Sequence, residues 1–290
     1  MSTPDALSPP PSHQRTPARL PWVLASGAIA AACWWGLWTA RTYWNPLLFT
    51  GLWTAATVCL RSATGPPPLP LRRHLAFMAL SAPMWWWFEL VNEFVHNWRY
   101  HGAERYNALE YQVFATLAFS TVVPALHAMW TATTVAVAPT AGPLPRLSHA
   151  GAWRAVGVGL AAQAAVFAWP GNAYSLVWVA PWLMAEGVAG LLGQGSLLAA
   201  MRAGRWRLPL AVALAGLLTG VCWELWNYWA WPKWTYDVPY VDFWHVFEMP
   251  LLGYLGYVPF VWSVYQLVVV AQALMARRGT PPLGPLRPHP

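Results

Sequence analysis

Eight apolar runs, most of them close to the length of a membrane-spanning helix, divide this sequence. They cover about residues 21–40, 45–61, 75–96, 110–136, 152–170, 174–200, 208–230 and 246–274. A helix needs about 20 mostly apolar residues to cross a bilayer. Only 9% of the residues are charged, against about 25% in an ordinary soluble domain, so the chain has too few charges to cover a soluble surface. We expect an all-α, polytopic membrane bundle of about eight transmembrane helices.

The basic residues indicate how this bundle lies in the membrane, because cytoplasmic loops carry an excess of Lys and Arg. If the N-terminus is inside and there are eight spans, 13 of the 17 basic residues fall on the inner side. The remaining four fall outside: Arg41, Arg99, Arg105 and Lys233. This division predicts an integral protein of the cytoplasmic membrane with both termini in the cytoplasm. Short basic clusters between apolar runs are not typical of a nucleic-acid-binding surface.

A repeated motif predicts two related halves. Glu-Leu-x-Asn occurs at 89–92 and again at 224–227, and each copy is followed by Trp-x-Tyr, at 98–100 and 234–236. A span that begins with a glutamate comes next in both halves. Because each half contains an even number of spans, the repeats are expected to run parallel.

The predicted domain organisation follows from this repeat. Repeat 1 holds the first four spans and repeat 2 the last four, with a cytoplasmic linker between them. The Pro-rich, polar ends of the chain are typical of disordered tails. The boundaries are 1–20 for the first tail, 21–136 for repeat 1, 137–151 for the linker, 152–278 for repeat 2 and 279–290 for the last tail.

Two glutamates near the outer ends of their spans are the first candidate catalytic residues. Glu89 and Asn92 lie on one face of a helix, as do Glu224 and Asn227. An ionised carboxylate in the hydrocarbon region is costly, and such residues are often functional. A protonated carboxylic acid in an apolar site is a proton donor. The alternative is that each Glu–Asn pair only holds helices together.

Two more glutamates begin spans at the same outer side. Glu110 and Glu248 are candidate catalytic bases, but a carboxylate at a helix N-terminus is also favoured by the helix dipole. Capping is therefore an equal alternative for both. Glu186 lies within a span but outside the repeat, as an isolated acid.

Aromatic side chains concentrate around the acids, among the 23 tryptophans of the chain. Some of them are expected to form an interfacial belt. Indole faces also stabilise a desolvated cation by about 2 kcal/mol, which suits carbocation chemistry on an apolar substrate. The candidate substrate-binding residues are Asn92, Asn227, Trp85, Trp223, Trp226, Trp98, Trp234, Tyr100 and Tyr236.

No motif predicts a metal or an organic cofactor. The histidines are scattered, at His74, His96, His101, His127 and His245 among others, without the spacing of a zinc helix. The cysteines Cys33, Cys59 and Cys222 all lie inside apolar runs, so they predict neither a disulfide framework nor a metal site. Phosphate loops, dinucleotide fingerprints and nucleophile elbows are missing as well.

These motifs resemble the lycopene cyclase domain, a three-helix unit of carotenoid enzymes that usually occurs twice. The similarity covers spans 2–4 and 6–8. It lies in Phe88-Glu89 and Trp223-Glu224, the two Trp-x-Tyr loops, and the spans from Glu110 to Pro124 and from Glu248 to Pro259. The layout also resembles uncharacterised bacterial membrane proteins rich in Trp-Glu-x-x-Asn.

The resemblance implies a membrane-embedded cyclase or isomerase of a carotenoid-like polyene. Glu89 or Glu224 would protonate an alkene, Trp faces would hold the cation, and Glu248 or Glu110 would remove the final proton. That chemistry is non-redox and needs no organic cofactor. Two other classes stay open: a non-enzymatic binder or carrier of an apolar lipid, and a structural membrane component. The sequence leaves the oligomeric state open.

Overall fold

The computed structural model describes residues 19–64, 70–138 and 142–279. Most of the two predicted tails and residues 139–141 of the predicted linker lie outside these ranges. The helices are α1 (Leu20–Thr39), α2 (Asn45–Thr64), α3 (Leu71–Val95), α4 (Ala108–Phe119), α5 (Val122–Val137), α6 (His149–Ala168), α7 (Pro170–Ala173), α8 (Leu176–Leu191), α9 (Leu197–Arg202), α10 (Arg207–Asn227) and α11 (Tyr257–Arg277). The predicted all-α class is confirmed.

In the described connections lie the short strands β1 (Trp98–His101), β2 (Lys233–Tyr236), β3 (His245–Val246) and β4 (Met249–Pro250). β1 pairs antiparallel with β2, and β3 with β4. The turns Ala103–Arg105 and Leu251–Gly256 are 3₁₀-helical. The β1–β2 pair joins the two connections that carry the Trp-x-Tyr motifs. The sequence did not predict these strands.

Within the residues that the structure describes, five helical segments are long and apolar enough to cross a membrane: Leu20–Thr39, Ala108–Val137, His149–Ala168, Arg207–Asn227 and Leu251–Arg277. Helices α2 and α3 are as long but less apolar, and α8 has only 16 residues. The predicted count of eight spans therefore stays a prediction.

The helices of the two halves pack in corresponding pairs. α1 packs on α2, and α6 packs on α8; likewise α2 packs on α5, and α8 on α11. Small residues allow close approach between membrane helices. In the α6–α8 pair, a Cβ added to Gly187 would lie 2.6 Å from the carbonyl oxygen of Ala152. α10 contacts both α5 and α11, so it links the halves.

A break separates α4 from α5 within the predicted span 110–136. The hydroxyl of Ser81, on α3, donates to the carbonyl oxygen of Phe119 and accepts from the backbone N–H of Val123 at 3.0 Å. A neighbouring side chain thus satisfies backbone groups that the break leaves without helical partners. The break lies where this segment passes α3.

Candidate functional site

The Glu and Asn that recur in the two motifs lie near the ends of α3 and α10 in the same arrangement. The side chain of Asn227 donates to the carbonyl oxygen of Trp234 at 2.7 Å and accepts from its N–H at 2.9 Å. Asn92 makes the same two bonds to Trp98, at 2.9 and 3.2 Å. Each asparagine therefore fixes the first aromatic residue of a Trp-x-Tyr motif against the end of its helix.

The register of the β1–β2 ribbon brings the two motifs face to face. Trp98 lies opposite Tyr236, and Tyr100 lies opposite Trp234. Alternate residues of a strand point to one face, so these four aromatic side chains share a face of the ribbon. Beyond the ribbon, the N–H of Asp237 donates to the carbonyl oxygen of Asn97 at 2.9 Å.

Glu89 lies under this face and is held by three donors. Its Oε1 accepts from the indole N–H of Trp85 at 2.7 Å, from that of Trp98 at 3.2 Å and from the hydroxyl of Tyr100 at 2.6 Å. Such charge-assisted bonds are among the stronger ones in proteins when the acceptor is ionised. The structure thus brings four of the predicted site residues together around one carboxyl oxygen.

Glu224 is fully buried, and phenols hold it. Its Oε1 accepts from the hydroxyls of Tyr236 at 2.7 Å and Tyr257 at 2.8 Å. The indole N–H of Trp234 donates to the Tyr236 hydroxyl at 2.8 Å. The second oxygen, Oε2, is buried and has no hydrogen-bond partner within the described part of the chain. Burial of a carboxyl oxygen that has no donor favours the neutral carboxylic acid over the carboxylate.

Tyr257 is a site residue that the sequence analysis missed. Gly220 lies one turn before Glu224, where the first half has Trp85 one turn before Glu89. A Cβ on Gly220 would lie 2.4 Å from the ring of Tyr257. The missing side chain therefore makes room for a phenol from α11 in the position that an indole occupies in the first half. In the sequence, Gly220 was the one indication that another side chain packs beside Glu224.

A cavity of about 530 Å³ opens between the two halves under the ribbon. Its wall is largely aromatic and combines residues of both halves, Trp85, Trp98, Tyr100, Trp178, Trp223, Trp234, Tyr236, Tyr257 and Phe260. The indole of Trp178, which the sequence did not single out, stacks on Trp98 with ring centroids 5.8 Å apart. Glu89 and Glu224 lie behind this wall, and their phenol and indole donors form it.

Burial keeps the ribbon phenols protonated. Loss of hydration raises the pKa of Tyr100 well above its ordinary value, and the nearby carboxyl group of Glu89 raises it further. Burial and then Glu224 do the same to the pKa of Tyr236. Both hydroxyls therefore remain hydrogen-bond donors at any physiological pH.

The other predicted acids have separate partners. Glu110 forms a capping box with Asn107, with bonds of 2.9 and 3.0 Å at the start of α4. Glu248 forms an ion pair with Lys233, whose Nζ also donates to the carbonyl oxygen of Tyr228 at 3.3 Å. Neither acid lies in the cavity wall. Their role as catalytic bases stays a prediction.

Trp226 and the two asparagines of the motif also lie outside the cavity wall. Trp226 packs against Trp53, with ring centroids 4.4 Å apart, and its carbonyl oxygen accepts from the indole of Trp38 at 3.2 Å. These contacts connect α10 to α1 and α2. The asparagines therefore position Trp98 and Trp234, and Trp226 positions α10 against α1 and α2.

Glu186 is buried and fully hydrogen bonded. Its Oε1 accepts from the indole of Trp182 and the N–H of Leu198, both at 3.0 Å. Its Oε2 accepts from the hydroxyl of Ser196 and from Gln266 at 2.7 Å. The carboxyl group thus joins α8, α11 and the start of α9, where it satisfies a free N–H group.

Across residues 19–64, 70–138 and 142–279, no three His, Cys, Asp or Glu side chains group as metal ligands. No protein-family model, curated protein or solved structure matches this chain.

Proposed function

We propose that this protein is a membrane-embedded cyclase or isomerase of an isoprenoid or carotenoid-like polyene. One observation carries the proposal: a fully buried glutamate, Glu224, is hydrogen bonded to phenols that form the wall of an aromatic cavity. A buried acid next to apolar space suits proton donation to an alkene. The resemblance to the lycopene cyclase domain supports the same class.

The protein would lie in the cytoplasmic membrane as eight spans, in two parallel repeats with both termini inside. The distribution of the basic residues supports this orientation. The corresponding helix pairs in the two halves support the repeat. So does the ribbon, in which each Trp-x-Tyr motif faces the other.

The reaction would begin when the acid protonates a terminal trisubstituted alkene. The resulting tertiary cation is attacked by an internal double bond, or loses a neighbouring proton, to give a ring or a shifted alkene. Each indole face near the cation contributes about 0.5–2 kcal/mol. Proton chemistry of this kind needs no organic cofactor. Because Glu110 and Glu248 are engaged in a cap and an ion pair, Glu89 or the ionised Glu224 is the better base.

The size of the cavity limits what it holds. About 530 Å³ lies within the roughly 300–1,000 Å³ that is usual for pockets of drug-sized ligands. A long polyene would therefore place one end in the cavity while the rest extends into the membrane. Reaction at a chain end agrees with this geometry.

The second candidate function is a non-enzymatic binder or carrier of an apolar lipid. It is favoured by the position of Glu89 and Glu224 behind the cavity wall rather than in it. In that case the carboxyl groups hold the ribbon and the aromatic wall alone binds the lipid.

The substitution Glu224→Gln separates the two functions. Glutamine keeps the shape and a carbonyl acceptor for the phenols but has no acidic proton. We expect liposomes with the variant to convert lycopene at least about a hundredfold more slowly than wild type, with nearly unchanged thermal unfolding. Product is measured by chromatography of extracted pigment.

Two variants serve as controls. Glu110→Gln changes a glutamate that caps the start of α4. This variant should convert lycopene at the wild-type rate. Glu89→Gln should be milder than Glu224→Gln if one acid dominates and equal to it if the halves share one reaction centre. Wild-type conversion by Glu224→Gln would exclude the acid role. Lycopene that binds to the wild type without any conversion would favour the binder.

A further inference from the structure

We propose that Tyr257 transfers the proton between Glu224 and the substrate, so that the second half of the molecule performs the proton transfer. This inference rests on the proposed function. It assigns a catalytic role to a residue outside the repeated motifs and distinguishes two carboxyl groups that the sequence leaves equivalent.

Two phenols connect the buried Glu224 to the cavity. The side chain of Glu224 is 0% exposed, whereas Tyr257 and Tyr236 both line the cavity and donate to its Oε1. A proton that leaves Glu224 along these hydrogen bonds therefore passes through a phenol before it reaches a molecule in the cavity. A hydroxyl can do this because it both donates and accepts.

The two phenols differ in what holds them. The hydroxyl of Tyr236 is held by the indole of Trp234 in addition to Glu224, which fixes it in the ribbon. The ring of Tyr257 stacks on Trp223, another part of the cavity wall, with ring planes 24° apart. A cation formed beside Tyr257 thus lies next to an indole face that stabilises it.

Glu89 is held mainly by indoles. Two of its three donors, Trp85 and Trp98, are indoles. An indole N–H only donates, so it cannot pass a proton on. Each glutamate accepts from one ribbon phenol, Glu89 from Tyr100 and Glu224 from Tyr236. Among the described residues, Glu89 has no second phenol that corresponds to Tyr257. The glycine at 220 therefore creates the difference between the halves, because it admits Tyr257.

The reaction consumes no net proton. With the acid proton on Oε1, the oxygen that Tyr257 contacts, and the Tyr257 hydroxyl turned toward the cavity, Tyr257 gives its proton to an alkene carbon while it receives the proton of the Glu224 carboxyl group. The π electrons form the new C–H bond and leave a tertiary cation. Tyr236 and Tyr257 then donate to the Glu224 carboxylate. After ring closure or a double-bond shift, a C–H next to the cation returns its proton by the same route, and its electron pair forms the product alkene. The product is an isomer of the substrate.

Tyr257→Phe tests the proposal in the full-length protein in liposomes. We expect lycopene conversion to fall at least about a hundredfold, while quenching of tryptophan fluorescence reports lycopene binding within twofold of wild type. Wild type in D₂O should place solvent deuterium in the product. The matched control is Tyr254→Phe, which removes a buried phenol that donates to the carbonyl oxygen of Val246 and not to Glu224. This control should keep its turnover.

A second measurement needs no substrate. The infrared band of the Glu224 carboxylic acid is the C=O band that is lost in Glu224→Gln. In wild type this band should shift when the protein is transferred to D₂O, because the acid proton exchanges. Tyr257→Phe should slow this shift at least tenfold. A phenol that only supports the structure would leave the exchange rate unchanged. Absence of the band in wild type would overturn the proposal.

The outcomes separate the relay from the proposed function. Normal turnover and normal exchange in Tyr257→Phe would exclude the relay and leave the cyclase intact. An equal loss in Tyr254→Phe would also exclude it. If wild type converts no polyene but the exchange at Glu224 still depends on Tyr257, the relay stands and the cyclase fails.

Discussion

At the scale of single residues, Gly220 decides which side chain reaches Glu224. Without a Cβ, α10 presents a notch that the ring of Tyr257 fills. In the first half the corresponding residue, Trp85, uses its own indole to reach Glu89. One missing side chain therefore changes the donor, the helix that provides it and the way in which the carboxyl group connects to the cavity.

Gly220→Ala should destabilise the protein by about 1–3 kcal/mol, because the added methyl group overlaps the Tyr257 ring and the packing around it must shift. It should also reduce turnover by moving the phenol from Glu224. Thermal unfolding in detergent measures the first effect and product formation the second. The control is Gly157→Ala, at an exposed helical position where a Cβ would meet nothing within 4 Å; it should be neutral or slightly stabilising. Equal stability of the two variants would contradict the steric argument.

The sequence was sufficient to identify Glu89, Glu224 and both Trp-x-Tyr motifs as residues worth examining, because they recur. Tyr257 and Trp178 do not recur, so no pattern marked them. Tyr257 lies 33 residues from its partner Glu224. Contacts of that kind depend on how helices pack, which a repeat within one sequence does not reveal.

At the scale of elements, the β1–β2 ribbon is what positions the site. A two-stranded ribbon alone is only marginally stable in water. Here the side chains of Asn92 and Asn227 bind its backbone from the helix ends below. A four-residue strand that depends on such partners leaves too short an alternation for sequence-based prediction, which is why the sequence did not predict the ribbon.

The register of the ribbon can be tested by cross-linking. Arg99 and Thr235 lie directly opposite each other, and directly opposed residues have Cβ atoms about 4.5–5.5 Å apart. In a background without native cysteines, the pair Arg99→Cys and Thr235→Cys should form a disulfide readily under mild oxidation. The pair Arg99→Cys and Lys233→Cys, on the same face but two residues away, should form it much less. Mass spectrometry of peptides measures both; the reverse order would show a different register.

At the scale of the whole molecule, the distribution of arginine supports the proposed orientation in the membrane. We expect the two Trp-x-Tyr connections outside and both termini inside. An impermeant thiol reagent applied to intact cells should label Glu104→Cys and Asp237→Cys but not Arg278→Cys. Permeabilised cells, in which all three positions become accessible, provide the control. Labelling of position 278 in intact cells would reverse the orientation.

The register of the β1–β2 ribbon has a two-fold symmetry, which predicts that the chain can be split into two polypeptides. Exchanging the two strands reproduces the same opposed residues, with Arg99 and Thr235 at the centre. That is an isologous contact, the kind that two identical subunits make about a two-fold axis. Under the proposed repeat, a protein of half this length would complete its ribbon by dimerising. For the same reason, two polypeptides separated within the linker at 137–151 and produced in one cell should find each other and rebuild a single cavity.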